Sequence, residues 1–293
     1  MRGGKKAAEP TEALLAEGGW EKGVRLAGFV VFIAALVVIA FYAASAISPK
    51  PKIALITINT PLEEPWTGEI IKMLRWAKER REVAGVVLRV NSPGGSVGGS
   101  EELYMEIARL RLAKPVVVSI EDLGASGAYY ASVGSNWIYA KPSSLVGSIG
   151  VVAILPSEKE TREFFEENTV IDTGPRKTVE VEQELMTQMQ AMLGNFLGTV
   201  EAERGAKLKA TREELGEGRI YIGSEGVALG LVDEIGSLED AVNKAAGLAG
   251  AREYEVVDVN EELRAGSETI VIFGANKSIP PGYYYVYIHG ERR

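Results

Sequence analysis

The sequence contains no cysteine and a single histidine, His289, close to its C-terminal end. The first absence excludes a thiol nucleophile, a disulfide framework and a cysteine-ligated metal. The second leaves too few imidazoles for a histidine-rich zinc site. It also removes the usual base of a Ser-His-Asp hydrolase, unless the extreme C-terminus folds back to deliver His289. A hydroxyl nucleophile in this chain therefore points to lysine as its base. Positive charge is not in excess either. A formal net charge of −8, with no basic cluster dense enough to follow a phosphate backbone, argues against nucleic acid as a partner.

What is present is ample apolar material: 293 residues, 46% hydrophobic and 25% charged, enough for one large domain or two small ones. Residues 1–25 are polar and mixed in charge and read as a short cytoplasmic segment. Little fixed structure is expected there beyond a short amphipathic helix near Glu12–Ala16. Residues 26–48 then run without a charge, and about 20 apolar residues suffice for a helix to cross the hydrocarbon core. Ala44-Ser45-Ala46 resembles a signal-peptidase site, but signal h-regions span only about 7–15 residues, so the stretch reads as an uncleaved signal anchor. Arg2, Lys5, Lys6, Lys22 and Arg25 before the span outnumber Lys50 and Lys52 after it. That asymmetry predicts a single-pass protein of the cell membrane, with its N-terminus cytoplasmic and the rest of the chain on the extracytoplasmic side.

Residues 49–250 alternate between β and α patterns. Ile53–Asn59, Gly85–Gly95, Pro115–Ile120 and Trp137–Ala140 read as strands, and Thr67–Arg81, Ser100–Leu112 and Ser126–Gly134 as helices. A charged helix is expected over Glu158–Glu167, a strand leaving into a loop over Thr169–Thr178, and a long helix over Glu180–Arg204. Nearly continuous Val/Ile runs between helices predict an α/β fold with a mostly parallel sheet covered on both faces. Residues 251–293 read as a C-terminal extension. Tyr254–Val259, Thr269–Phe273 and Tyr283–Ile288 are its candidate strands, and its tyrosine run is a candidate subunit interface.

Ser126, in Ile120–Ser132 (IEDLGASGAYYAS), lies among small residues just where a buried strand gives way to a helix. Gly124, Ala125 and Gly127 leave its hydroxyl unshielded and permit a tight elbow. Taken alone, this pattern equally describes an N-cap serine. A second glycine turn, Asn91–Gly99, follows the preceding strand. Backbone N–H groups in such turns can form an oxyanion hole, with Gly95 and Gly127 the candidates and Gly94 the fallback.

Five motifs stand in a fixed order: Ser92–Gly95 (SPGG), Gly124–Tyr130 (GASGAYY), Val146–Val151 (VGSIGV), Gly174–Lys177 (GPRK) and Gly218–Gly236, which contains GLVDEIG. Together they resemble the signal peptide peptidase A family of membrane serine proteases, over roughly Ile53–Gly250. The resemblance implies a Clp protease/crotonase-like superhelix of βαβ units, here preceded by one transmembrane helix. It places the nucleophile at Ser126, the general base at Lys177 and the serine that orients the lysine amine at Ser148. It further implies a homo-oligomer acting on peptides such as residual signal peptides, with no metal or organic cofactor. A lysine acting as base near neutral pH must fall about three units from its usual value of about 10.4, a cost of roughly 4–5 kcal/mol that burial would supply. Thr178 stands where the family usually has an acidic residue. Three alternatives accompany this reading: a stomatin-type membrane protease, a crotonase-like acyl-CoA enzyme, and a catalytically silent scaffold.

Overall fold

A computed structural model describes residues 10–47, 50–155, 166–167, 182–264 and 282–286, and the chain divides into two compact units, Met1–Pro49 and Lys50–Arg293. In the first unit a single helix, α1, runs over Pro10–Ile47. Over residues 10–25 a continuous helix replaces the short one expected near Glu12–Ala16. Residues such as Ala13, Leu14, Leu15, Ala16 and Glu17 are strong helix formers, and the helix continues through them into the apolar run. Within α1, Gly23–Ala40 has a mean hydropathy of 2.5 and is long and apolar enough to cross a membrane. Phe29, Val30, Val31 and Phe32 occupy successive positions around it, and all are exposed. A helix apolar on every side belongs in a protein interior or in lipid.

The second unit is built on a sheet of order β10-β1-β2-β4-β5-β9, every neighbouring pair of which is parallel. Its strands are β1 (Lys52–Ile58), β2 (Val83–Ser92), β4 (Val116–Ala125), β5 (Trp137–Ala140), β9 (Glu234–Ile235) and β10 (Glu255–Asp258). Alternate residues serve two cores, as the period of a strand requires. Ile53, Val87 and Val117 face Ala241, Val242, Ala245 and Ala246 of α8 (Leu238–Leu248). Ala54, Val86, Leu88, Val116 and Val118 point into the larger core beneath α2 (Trp66–Glu79), α3 (Val97–Arg111), α4 (Gly127–Ser132) and α5 (Glu182–Arg204). Both faces are therefore covered, which is why these strands read as continuous apolar runs.

Two features place the site. Strand β4 is longer than the apolar run predicts, continuing through Glu121–Ala125. Its first half pairs with β5, whereas Leu123–Ala125 pair with β6 (Leu145–Gly147). β6 in turn pairs antiparallel with β8 (Ile220–Ile222), which leads into α7 (Gly223–Leu229). The change of partner lets β4 project past β5 and end at Ser126. The second feature is a separate three-stranded sheet of order β3-β11-β7, comprising β3 (Gly94–Ser96), β7 (Val152–Ile154) and β11 (Gly282–Val286).

The C-terminal residues thus pair within their own chain, β10 with β1 and β11 with β3 and β7. The strands expected at Thr169–Thr178 and Thr269–Phe273 lie outside the described residues, as does most of the Glu158–Glu167 helix.

Candidate active site

Ser126 is the hinge between β4 and α4 and is buried, at 1% exposure. Its backbone has φ 52° and ψ −122°. With Ser148 at φ 51°, it is one of two non-glycine residues with positive φ among those described. Holding a residue with a Cβ in such a conformation costs on the order of 1–3 kcal/mol, and it persists only where the surroundings over-determine it. Here they do. The Ser126 N–H donates to the Gly147 carbonyl at 2.8 Å, and its own carbonyl accepts from the Tyr130 N–H at 2.9 Å, closing the first turn of α4. Gly124 is fixed as glycine because a Cβ there would lie 2.9 Å from the Ile120 side chain. Ser126 occupies the N-cap position, yet its side chain makes no cap hydrogen bond. The hydroxyl is thus not engaged in the capping role that the sequence pattern alone allows.

Gly127 is the first residue of α4, where an α-helix offers the N–H no internal acceptor. Gly95 lies on β3, which Leu62 holds from one side. The Leu62 N–H donates to Gly94 at 2.8 Å and the Leu62 carbonyl accepts from the Ser96 N–H at 3.1 Å. Because N–H and C=O groups alternate sides along a strand, the N–H and C=O of Gly95 face the opposite edge, along which β11 runs with Tyr285 beside Gly95. A Cβ on Gly95 would sit 2.4 Å from the Leu62 carbonyl oxygen, so only glycine fits. Two serines that sequence reasoning left without a role secure this loop. The Ser92 hydroxyl donates to the Thr60 carbonyl at 2.7 Å and accepts from the Gly94 N–H at 3.3 Å, while the Ser96 hydroxyl caps α3 by accepting from the Gly99 N–H at 3.2 Å. Their place in SPGGS is the signal that could have found them.

Ser148 is half-buried one residue beyond Gly147, and its N–H donates to the Arg219 carbonyl at 2.7 Å. Of its neighbours in sequence, Ser143 is exposed, and the Ser144 hydroxyl is taken up by the Ile120 and Glu121 carbonyls and the Lys141 N–H. The structure brings Ser126, Gly127 and Ser148 together at adjacent strand ends through the bond to Gly147, and places Gly95 in β3 beside α4. Lys177 lies outside the described residues.

The chain also matches a known family in sequence. The model for peptidase family S49 matches residues 108–252. The Synechocystis protein slr0021 is 32% identical over 213 residues, covering 69% of this chain and 76% of that one. The chain belongs to peptidase family S49. Protease 4 of Salmonella typhi is a second relative, 34% identical over 193 residues, which are 62% of this chain and only 31% of that protein. The chain therefore spans about a third of that relative's length. Among solved structures, a mutant of the membrane-bound stomatin-specific protease 1510-N covers 72% of this chain at a TM-score of 0.52 and 14% identity, which establishes a shared fold.

Two of the family-like motifs prove to be clamps. In GASGAYY, the Tyr129 hydroxyl donates to the Leu231 carbonyl at 2.9 Å, and Tyr130 packs edge-on against Tyr104 and Phe196 with its hydroxyl 3.2 Å from that of Thr199. Burial raises the pKa of both phenols, so both remain neutral anchors for α4. In GLVDEIG, Asp233 forms a two-pronged ion pair with Arg204, 3.0 Å for each bond, and its carboxylate also accepts from the Ile138 N–H at 2.8 Å. Burial alone would raise the Asp233 pKa, but the hydrogen bonds and charge of Arg204, together with hydrogen bonds from Lys207 and the Ile138 N–H, outweigh it and leave the carboxyl below its ordinary value.

Proposed function

We propose that this S49 chain is a membrane-anchored serine endopeptidase working through an acyl-enzyme. Ser126 attacks the scissile carbonyl while Lys177, neutral and desolvated, takes the hydroxyl proton. The N–H groups of Gly95 and Gly127 receive the negative charge that develops on the carbonyl oxygen. Lys177 then returns the proton to the leaving amine, and water, activated by the same lysine, hydrolyses the ester. Ser148 orients the lysine amine. The observation that carries this reading is the uncapped, buried hydroxyl of Ser126, held at positive φ on a strand-to-helix turn. Such a turn aims a nucleophile at a carbonyl next to the first N–H groups of the following helix.

Helix α1 supplies the anchor, with its basic leader in the cytoplasm and the peptidase unit outside. Substrates are peptides left in or near the membrane, signal peptides among them, and the working form is a homo-oligomer. The reading is tested by following hydrolysis of a fluorogenic peptide by the full chain in detergent. Ser126→Ala removes turnover, and persistent turnover in that variant would sink the mechanism. Because the chain has no cysteine, a single one introduced in the leader reports sidedness to a membrane-impermeant maleimide in intact cells. Labelling without lysis would reverse the assigned orientation.

A further inference from the structure

The parallel strands of the main sheet all begin toward one end of the second unit, and Ser126 lies at the other, just past the last residue of β4. Helices α2, α3 and α8 finish at the end where the strands begin, and the turns there are tied together. The Lys52 N–H donates to the Glu82 carbonyl at 2.7 Å, the Glu255 N–H to the Pro51 carbonyl at 3.0 Å, and the Lys114 ammonium to the Ala77 and Arg80 carbonyls at 2.6 Å each. This end carries the two most exposed large apolar side chains among the described residues of the unit: Leu112, just past α3, at 86%, and Leu248, the last residue of α8, at 51%. It is also positive, in a chain whose net charge is −8. Glu82 and Glu253 are matched by Arg80 and Lys50 at 3.8 and 3.2 Å. Among the described residues Lys78, Arg81 and Arg252 are exposed and form no ion pair, and with Lys52 and Lys114 they outnumber Glu79 and Glu255, the acidic side chains left there.

Basic side chains at helix C-termini answer the helix dipole, but a dipole gives no reason to hold two leucines in water. Leucine tips ringed by lysine and arginine suit a lipid surface, where the apolar atoms enter the headgroup boundary and the cations meet lipid phosphates. In an anchored chain this end has little slack. Helix α1 ends at Ile47, and only Ser48 and Pro49 precede Lys50, a reach of at most about 11 Å. We propose that the end of the peptidase unit where its strands begin docks on a bilayer surface containing anionic phospholipid, with Leu112 and Leu248 in the headgroup boundary and Lys78, Arg81 and Arg252 on the phosphates. The inference rests on the membrane-anchored reading above. Docking there leaves Ser126 at the far end of β4, so a peptide rooted in the membrane is drawn out to the site rather than cut within the lipid.

The test uses the full chain in vesicles of phosphatidylcholine alone, or of phosphatidylcholine and phosphatidylglycerol in equal parts. Because the chain has no cysteine, a nitrobenzoxadiazole dye is attached at Leu112→Cys or, toward the opposite end, at Ser143→Cys, an exposed position just past β5. In the anionic vesicles brominated lipid quenches the dye at position 112 about threefold more than at 143, and the excess disappears in phosphatidylcholine and when Lys78→Glu, Arg81→Glu and Arg252→Glu are combined. Equal quenching at the two positions, or an excess at 112 that persists in phosphatidylcholine, overturns the proposal. A second measurement needs no substitution: hydrogen exchange of the Arg80–Val83 and Leu112–Lys114 amides slows in anionic vesicles relative to neutral ones. Unchanged exchange overturns the docking face, and protection that instead rises with protein concentration in detergent gives the face to a second copy of the chain and overturns it as well. Flotation separates the two readings. A chain that floats with both lipids but shows no excess quenching at 112 defeats docking alone, whereas a chain that floats with neither defeats the anchor and docking with it.

Discussion

The Ser126 N–H donates to the Gly147 carbonyl at 2.8 Å, joining the ends of β4 and β6 at the two points where serines adopt positive φ, Ser126 and Ser148. Each serine immediately follows its strand, and neither conformation arises from its own residue's preference. The strain at Ser126 is therefore maintained by the sheet.

Replacing Ser126 with glycine relieves that strain, whereas alanine keeps it. Both variants are inactive under the proposed mechanism, and Ser126→Gly is the more stable by about 1–2 kcal/mol. Thermal melting of the two, at about 2–4 °C per kcal/mol for a domain of this size, should place glycine above alanine. Equal melting temperatures would mean that the backbone at Ser126 is relaxed.

Gly95 and Gly98 make a matched pair. A Cβ at Gly95 would collide with the Leu62 backbone at 2.4–2.5 Å, whereas Gly98, in α3, has nothing within 4 Å. Gly95→Ala should displace β3, cost about 1–3 kcal/mol and abolish turnover. Gly98→Ala should leave turnover intact and gain up to about 1 kcal/mol from helix propensity. Urea denaturation with a peptide assay separates the two outcomes.

Much of this fold was legible because its strands are apolar on both faces. Ile53–Asn59 and Trp137–Ala140 were readable from composition, and the latter matches β5 residue for residue. Strand β4 beyond Ile120 was not, because Glu-Asp-Leu-Gly-Ala carries no strand pattern and pairs there only through β6. β3 is three residues long, too short for any periodicity, and its partner β11 comes from the far end of the chain. For the site, Ser126 and its glycines announced themselves through local chemistry. Leu62 did not, since it holds β3 through its backbone N–H and C=O, and Ser144 is distinguished from Ser148 only by the bonds of its hydroxyl to Ile120 and Glu121.

The Arg204–Asp233 pair predicts acid sensitivity. The folded pKa of Asp233 is depressed, so the pair's contribution is fully present above the unfolded carboxyl value of about 3.9 and is lost as pH falls through the lower folded value. Asp233→Asn leaves the Arg204 charge, with a side chain only 5% exposed, without its partner, and should cost about 3–5 kcal/mol at pH 7. In Asp233→Asn the fall in stability on acidification should be correspondingly shallower. Stability curves by urea unfolding at stepped pH check both, and parallel curves for parent and variant would contradict the assignment.

Under the proposed anchoring, insertion of α1 depends on its uninterrupted apolar surface. Lysine at both Ile33 and Val37 adds about 2.5–3.5 kcal/mol each at the centre of a span. The doubly substituted chain should leave the membrane fraction in liposome flotation while the parent floats; co-flotation of both would argue that α1 does not insert.

The central claim is that Ser126 is a nucleophile activated by Lys177. A fluorophosphonate probe applied to the full chain, with peptide mapping of the adduct by mass spectrometry, tests it directly. The account predicts one adduct on Ser126, absent in Ser126→Ala and formed at least a hundredfold more slowly in Lys177→Ala. An adduct on another residue, or labelling of Ser126 at the parent rate in Lys177→Ala, would contradict it.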